Sequence, residues 1–265
     1  MDLMLPPPLS GPPPAEVPLP EAPLVRVIAQ VRFPPILAIG NSKTVAPFQE
    51  TIRAAYPISE DERVHHIVVG PSGGPNVKEE HVWRFRDRSR NWRVSLGTNF
   101  VSLETKAYQS RADFLERLRG VISGVENTLN PQEAQRLGVR YIDRLTGAAV
   151  ERISDLVNRN VLGVSLTPVG QAAQHVLTES LFPAEEGQIR ARWGNLPPNG
   201  TIDPDALEPD RNPSWILDLD MFRTDPQTFA TGELTDTATQ FTQRIYTVFR
   251  WIVTEEFLKF YGGNP

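Results

Sequence analysis

Each half of this chain has an apolar strand meander followed by a long amphipathic helix. The first meander runs from Trp83 to Tyr108, and the second runs from Ile189 to Phe222. A strand and a helix precede each meander, so one order of elements occurs twice. Antiparallel strands with helices on one face predict an α+β protein, and two pseudo-repeated halves predict a curved antiparallel sheet backed by helices. One continuous mixed sheet is the alternative, because the halves share almost no residue identity.

Hydrophobic periodicity places the elements of the first half. Residues 24–32 alternate between apolar and polar side chains, which predicts a strand. Ser110 and Asp113 have the spacing of a helix cap before an amphipathic helix. A second strand is predicted at 64–69, before a turn at 70–75 that is rich in Gly and Pro. A shorter helix is predicted from apolar residues at helical spacing, namely Val45, Phe48, Ile52 and Tyr56.

The second half follows the same order. Its closing helix is predicted over residues 235–261, with two apolar stripes that indicate burial on two sides. A short helix is predicted near residues 151–157. The predicted strands lie at residues 137–145, 175–182, 189–193 and 215–222.

The first 23 residues contain nine prolines. Proline supplies no backbone donor and favours an extended backbone, so we expect residues 1–23 to form a disordered arm. A spacer is the usual role of such an arm, and a ligand for a proline-binding groove is the functional alternative. The predicted organisation is therefore an arm at 1–23, a first α+β half at 24–136 and a second at 137–265.

Composition excludes several classes of function. The chain has no cysteine, so disulfides, thiolate nucleophiles and Cys-ligated metals are excluded. Its formal net charge of -5 argues against wrapping of nucleic acid, although it allows a local basic patch. The sequence has neither a signal-peptide pattern nor an apolar stretch of membrane-spanning length. We therefore expect a cytoplasmic protein without a membrane partner.

An arginine-rich segment at residues 83–93 is the strongest candidate for a binding site. Arginine is the preferred fork-shaped donor for phosphate or carboxylate, which points to an anion or an acidic partner. Solvated arginines that guard a sheet edge are the alternative, and nucleic acid is not favoured because the chain is acidic. The candidate residues are Arg84, Arg86, Arg88, Arg90, Arg93 and Trp92.

The carboxylates and histidines give no catalytic or metal site. Asp218 and Asp220 share one strand face, and Asp143 could approach them, but Arg190 and Arg192 offer charge partners that need no chemistry. No catalytic residue is assigned. No metal site or cofactor is expected, because the adjacent histidines at 65 and 66 point to opposite faces of a strand. A long acidic loop, Asn195–Pro213, is a candidate partner contact.

Short motifs resemble those of a bacterial family. They comprise residues 23–33, the block from Trp92 to Tyr108, Arg140 to Arg144, and residues 252–255, where Asp143 stands at a position for which the family pattern has asparagine. By these motifs the chain resembles a sporadically distributed bacterial family of about this length, catalogued without an assigned function. The resemblance implies an accessory role, such as defence or toxin neutralisation, and it supplies no catalytic residue.

These observations give one leading hypothesis and two alternatives. We expect a non-enzymatic binding protein that engages a protein partner through a sheet face, the arginine-rich hairpin or the acidic loop. The first alternative is a sensor of a small ligand or nucleotide, with an anion site at the hairpin. The second is a carboxylate-dependent hydrolase that uses Asp218, Asp220 and Asp143. The sequence does not specify an oligomeric state.

Overall fold

The structure, a computed structural model, describes residues 7–69 and 75–265, and it describes side chains outside residues 62–80. The predicted turn at 70–75 therefore lies almost wholly outside the described residues. The strands are β1 (Leu24–Arg32), β2 (Ile58–Val69), β3 (Pro75–Arg86), β4 (Trp92–Gly97), β5 (Phe100–Thr105), β6 (Glu133–Ala134), β7 (Arg136–Thr146), β8 (Val176–Ala184), β9 (Gly187–Leu196), β10 (Ser214–Arg223) and β11 (Gln227–Thr228). The α-helices are α1 (Ser42–Ile52), α2 (Arg111–Leu129), α3 (Ala148–Glu151), α4 (Ile153–Leu156), α5 (Arg159–Leu162), α6 (Pro168–Gln171), α7 (Thr231–Ile252) and α8 (Glu255–Phe260).

The predicted α+β class is confirmed, with nine strands in one large antiparallel sheet. The strand order is β2-β3-β4-β5-β1-β7-β10-β9-β8. β6 and β11 form a separate two-stranded sheet that the sequence analysis did not predict. β2 and β8 are the two edge strands of the large sheet, since each pairs on one side only.

The chain divides into two compact units, neither of which is continuous in sequence. Unit 1 comprises Met1–Val27, Val139–Arg223 and Thr239–Pro265, and unit 2 comprises Ile28–Gly138 and Thr224–Ala238. The sequence analysis predicts a division between residues 136 and 137. In the structure, unit 1 instead includes residues 24–27 of the predicted first half, and unit 2 includes residues 224–238 of the predicted second half.

Unit 2 packs α1 and α2 against the meander of β2 to β5. α2 begins as predicted, because the Ser110 side chain accepts a hydrogen bond from the Asp113 backbone N–H at 3.2 Å. The rings of Phe48 and Phe85 meet edge to face at 5.8 Å in the core. α1 and α2 approach closely at Gly124, where a Cβ would lie 2.6 Å from the Thr51 hydroxyl oxygen. Glycine at this position therefore lets the two helices pack together.

In unit 1 the predicted closing helix over 235–261 is corrected to two helices. α7 ends at Ile252 and α8 begins at Glu255, with two residues between them. Val253 forms an antiparallel bridge with Val157. The Thr254 hydroxyl accepts a hydrogen bond from the Phe257 N–H at 3.2 Å and so caps α8. The bridge partner is about a hundred residues away in sequence, so helical periodicity could not show the interruption.

One further prediction is confirmed in part, and another differs from the structure. The short helix predicted near 151–157 is present as α4, but α3, α5 and α6, also of four residues each, were not predicted. Residues 7–23 have defined contacts, where the composition predicts a disordered arm. Carbonyl groups of this segment accept hydrogen bonds from Arg244 and Tyr246 on α7, which supplies the donors that a proline-rich backbone lacks.

Among the helices of the described residues, none combines the length and the apolar character that crossing a membrane requires.

Candidate functional site

β8 exposes apolar side chains at one edge of the large sheet. Leu177 is 42% exposed and Leu181 is 53% exposed, and Glu179 lies between them on the same strand face. β8 pairs with β9 alone, so its other edge carries backbone donors and acceptors that no strand of the sheet engages. An edge strand with exposed leucines is suited to pairing with an extended segment of another protein.

The same part of the sequence has further exposed apolar groups. Val164 is 52% exposed and Val169 is 78% exposed, and both precede β8 in the chain. In the part of the chain that the structure describes, four of the six large exposed apolar residues lie between 164 and 181. The large exposed apolar residues of the described chain are thus concentrated in one stretch of the sequence, which ends in β8.

β9 holds β8 through a close backbone approach. Gly194 has a φ of +147°, and a Cβ at this position would overlap the Val176 carbonyl oxygen. Register pairs Leu177 of β8 with Gly194, and Glu179 with Arg192. Only glycine allows this geometry, so the sequence of β9 positions the edge strand.

The arginines of the hairpin at residues 83–93 are largely paired within unit 2. Arg84, Arg86 and Arg93 share one sheet face, as the alternation predicts. Arg86 Nε donates to Glu60 at 2.9 Å, and this contact lowers the pKa of that carboxyl. Arg93 forms an ion pair with Glu104 at 2.7 Å, with side chains that are mostly buried. Of the three arginines on this sheet face, Arg86 and Arg93 therefore already have carboxylate partners.

Of the other candidate residues of the hairpin, two lie in its turn and one lies in the core. Arg88 and Arg90 are exposed in the turn, where Arg90 has a φ of +60°. Trp92 is buried, stacks on Phe114 with ring centroids 6.0 Å apart, and lies under the Arg117 guanidinium at 4.4 Å. Trp92 consequently packs the core of unit 2 and does not share a binding surface with the arginines.

Asp218 lies at the centre of a buried ionic cluster in unit 1. Arg140 donates to its two carboxylate oxygens through Nε and Nη2, at 2.8 and 2.9 Å. Arg192 adds hydrogen bonds of 2.9 and 2.6 Å. Burial disfavours the charge on Arg140, but the hydrogen bonds and charge of Asp218 outweigh burial and raise the pKa of the guanidinium. The carboxylate that the sequence singled out thus serves as an acceptor for two arginines.

Asp143 does not join this cluster through a hydrogen bond. It is 7% exposed, and burial followed by the charge of Asp218 raises its pKa to about 7. Asp220 lies opposite Arg190 in the register of β10 and β9, as the cross-strand interpretation expects. The three candidate carboxylates are therefore not assembled as an acid–base group.

The acidic loop, residues 197–213 between β9 and β10, is attached to the sheet strands by arginines. Arg140 Nη1 donates to Asp203 at 2.7 Å, and this hydrogen bond offsets burial and lowers the pKa of Asp203. Arg144 Nη1 donates to the Glu208 carbonyl oxygen at 2.6 Å. Nε and Nη2 of Arg144 are buried without a hydrogen-bond partner among the described residues. Burial lowers the pKa of this guanidinium.

Sequence reasoning missed the residues that now matter most. Arg140 and Asp203 are 63 residues apart, and no local pattern connects them. Leu177 and Leu181 lie in a predicted strand, but the sequence does not reveal that this strand ends the sheet. Their spacing of four on a strand was the available signal, since it places both on one face.

Comparisons with known proteins add no functional assignment. Within the described residues, no group of three or more His, Cys, Asp or Glu side chains could hold a metal ion. A scan against protein-family models finds no match to the chain, and a search of curated proteins finds no significant match. The resemblance stated above therefore stays a prediction.

Proposed function

We propose that this chain is a non-enzymatic binding protein that holds a protein partner at the free edge of β8. The observation that carries the proposal is the exposure of Leu177 and Leu181 on one face of an edge strand. An extended segment of the partner would hydrogen-bond to the β8 backbone, and its alternate apolar side chains would cover the leucines.

The partner is tested by co-purification from the native host without crosslinker. The test compares the wild-type chain with Leu177→Lys/Leu181→Lys, because charges on an edge strand oppose strand addition. Leu37→Lys is the matched control, since Leu37 is 83% exposed and lies in unit 2. We expect a stoichiometric protein with the wild type and the control, and its loss with the double variant.

Two results would contradict this proposal. One is the absence of any stoichiometric protein together with a strictly monomeric wild type. The other is equal partner recovery with the double variant, provided that circular dichroism shows unchanged thermal unfolding. Hydrogen exchange of the purified complex should also show protection in Val176–Ala184.

An anion sensor is the second candidate function, and one observation in unit 1 favours it. The Nε and Nη2 edge of Arg140 holds Asp218, and the same edge of Arg244 holds Glu186. In Arg144 this edge is buried and has no hydrogen-bond partner among the described residues. A carboxylate or phosphate ligand would complete it, provided that the acidic loop moves aside. The hairpin arginines are less suited, because Glu60 and Glu104 pair with two of them.

Thermal unfolding across a panel of nucleotides and carboxylic acids tests the sensor. We expect one ligand to raise the melting temperature of the wild type, and Arg144→Ala to abolish that rise. Arg88→Ala is the control, since Arg88 is exposed in the hairpin turn. An unchanged melting temperature across the panel would exclude the sensor. The geometry of Asp218 gives the hydrolase alternative no support.

Two wider proposals concern the role of the protein and the origin of its fold. We propose a cytoplasmic location, which the absence of cysteine favours, and an accessory role, such as defence or toxin neutralisation, which the resemblance implies. We also propose that the two halves are pseudo-repeats. The strand order supports this second proposal, because β5 and β10, the last strands of the two meanders, stand next to β1 and β7.

A further inference from the structure

Residues 7–23, here called the arm, lie along the part of α7 that belongs to unit 1 and along the chain after α8. Arg244 Nη1 donates to the carbonyl oxygens of Pro8 at 3.1 Å and Gly11 at 2.8 Å. Tyr246 accepts a hydrogen bond from the Val17 N–H at 2.8 Å and donates its hydroxyl to the Ala15 carbonyl at 3.2 Å. One helix therefore binds the arm at successive points along its length.

These contacts recognise a backbone that is rich in proline. Proline has no N–H, so such a segment presents mainly carbonyl oxygens, for which arginine and tyrosine are suitable donors. Arg250 Nη1 also reaches the Ala15 carbonyl, at 3.3 Å. An extended proline-rich segment has little conformational entropy to lose, which favours its capture by a groove.

The principal donor is also held by a carboxylate outside the arm. Arg244, which is 5% exposed with the arm in place, donates to Glu186 through Nε at 2.9 Å and Nη2 at 2.7 Å. This fork leaves Nη1 directed at the arm. An arginine that a carboxylate already orients loses less entropy on binding than a flexible surface side chain.

The chain after α8 lacks side chains where the arm packs. A Cβ at Gly263 would lie 2.7 Å from Leu19 Cδ2 and 2.9 Å from Val17 Cγ1. The arm backbone is joined to the same region, because the Glu21 N–H donates to the Tyr261 carbonyl at 3.3 Å. The arm groove therefore consists of Arg244, Tyr246, Arg250, Gly262 and Gly263.

We infer that the arm groove is a receptor for a proline-rich segment of a partner protein, one that turns where the arm has Pro7 to Gly11 and is extended after it, and that the arm occupies the groove as a tethered competitor. Most of the polar contacts are to backbone groups of the arm, so a partner segment with small residues at the positions of Gly11 and Ala15 would make the same contacts. Tethering gives the arm a local concentration on the order of mM, so the arm excludes weak ligands. This surface is distinct from β8, and its test is independent of the edge-strand proposal.

Disulfide trapping tests whether the arm occupies the groove. The chain has no cysteine, so Pro20→Cys/Gly262→Cys introduces the only pair of thiols. A Cβ at Gly262 would lie 4.0 Å from Pro20 Cβ, a separation that suits a disulfide, so we expect rapid formation of an intramolecular disulfide under mild oxidation. Each single cysteine variant is the control and should keep its thiol free. Failure of the pair to crosslink in folded protein would overturn the inference.

Peptide binding tests the receptor in the full-length chain. The probe is a fluorescein-labelled peptide of residues 7–23, and Val17→Asp/Leu19→Asp releases the arm while leaving the groove unchanged. We expect the released variant to bind the peptide at least about tenfold more tightly than wild type, because the tethered competitor is gone. A peptide with serine at every proline should bind at least about fivefold more weakly, since it loses the preformed extended backbone.

A groove variant completes the test. Tyr246→Phe, added to the released variant, removes only the hydroxyl that contacts Ala15 and Val17. We expect it to weaken peptide binding at least about fivefold without changing the circular dichroism spectrum. Equal binding to wild type and the released variant, or no binding to the released variant at about 1 mM peptide, would overturn the inference.

Discussion

The buried charges of unit 1 show why a carboxylate pattern is a weak guide to chemistry. Asp218 accepts four hydrogen bonds from two guanidinium groups, which makes it a structural acceptor. A buried ion pair contributes little when compared with an apolar pair, but loss of one partner leaves the other charge desolvated. At the residue scale, removal of Asp218 should therefore lower the stability of the folded chain.

Replacing Asp218 should destabilise the chain strongly. Asp218→Ala leaves Arg140 and Arg192 without their shared acceptor, so we expect the free energy of unfolding to fall by about 3–5 kcal/mol. Asp205→Ala is the control, since Asp205 is exposed in the acidic loop, and its effect should stay within about 0.5 kcal/mol. Urea unfolding of the two variants measures both values, and equal midpoints would contradict the cluster.

Asp143 should make stability fall as pH rises. Its folded-state pKa of about 7 lies above the usual carboxyl value, so the folded state binds the proton more tightly than the unfolded state does. The resulting cost is absent below about pH 4, grows between about pH 4 and 7, and is complete above that range, with an upper limit of about 4 kcal/mol.

Asp143→Asn removes this cost. We expect the variant to be more stable than wild type at pH 8 by about 2–4 kcal/mol, and we expect the difference to shrink toward zero at pH 4.5. Urea unfolding at both pH values measures the change. A difference that does not depend on pH would show that Asp143 is not the titrating group.

At the scale of elements, the sequence predicted the features that depend on residues close together in the chain. The Ser110 cap and the strand alternation on β3 and β4 follow from hydrogen bonding and burial within a few residues, and the structure has them as predicted. The end of α7 depends instead on the bridge between Val157 and Val253. The same limitation applies to the candidate site, because an edge strand is defined by the pairing of the whole sheet.

Thr254 connects α4 with α8 at the interruption between α7 and α8. Its hydroxyl should therefore contribute more to the free energy of unfolding than a cap that makes one hydrogen bond. It donates to the Asp155 carbonyl at 2.6 Å while accepting from the Phe257 N–H. Thr254→Ala should lower the free energy of unfolding by about 1–2 kcal/mol, and Thr254→Ser should keep most of the stability. Thermal unfolding distinguishes the two, and equal losses would assign the effect to the methyl group.

At the scale of the whole molecule, each compact unit needs a segment from a distant part of the chain. In unit 2, the Thr231 N–H donates to the Glu126 carboxylate at 3.1 Å, and the rings of Phe33 and Phe229 meet at 6.0 Å. Residues 224–238 thus complete a unit whose main part ends at Gly138. Domain boundaries drawn as single points in the sequence could not describe this arrangement.

A fragment of residues 28–138 should therefore be unstable alone. We expect it to lack a cooperative thermal transition, because Glu126 and Phe33 lose their partners and the β6–β11 pair is absent. Addition of a peptide of residues 224–238 should restore the transition, whereas the same peptide with Phe229→Ala should not. Cooperative unfolding of the fragment without the peptide would contradict this dependence.

The exchange of segments between units also affects biosynthesis. When the ribosome has translated residue 223, neither unit has all of its residues, because each uses residues beyond that position. Translation of residues 224–265 at about 5–20 residues per second takes about 2–8 seconds, and both units are incomplete during that time. Incomplete units expose apolar surface that aggregates readily, so we expect the nascent chain to need protection from aggregation until residues 224–265 have left the exit tunnel.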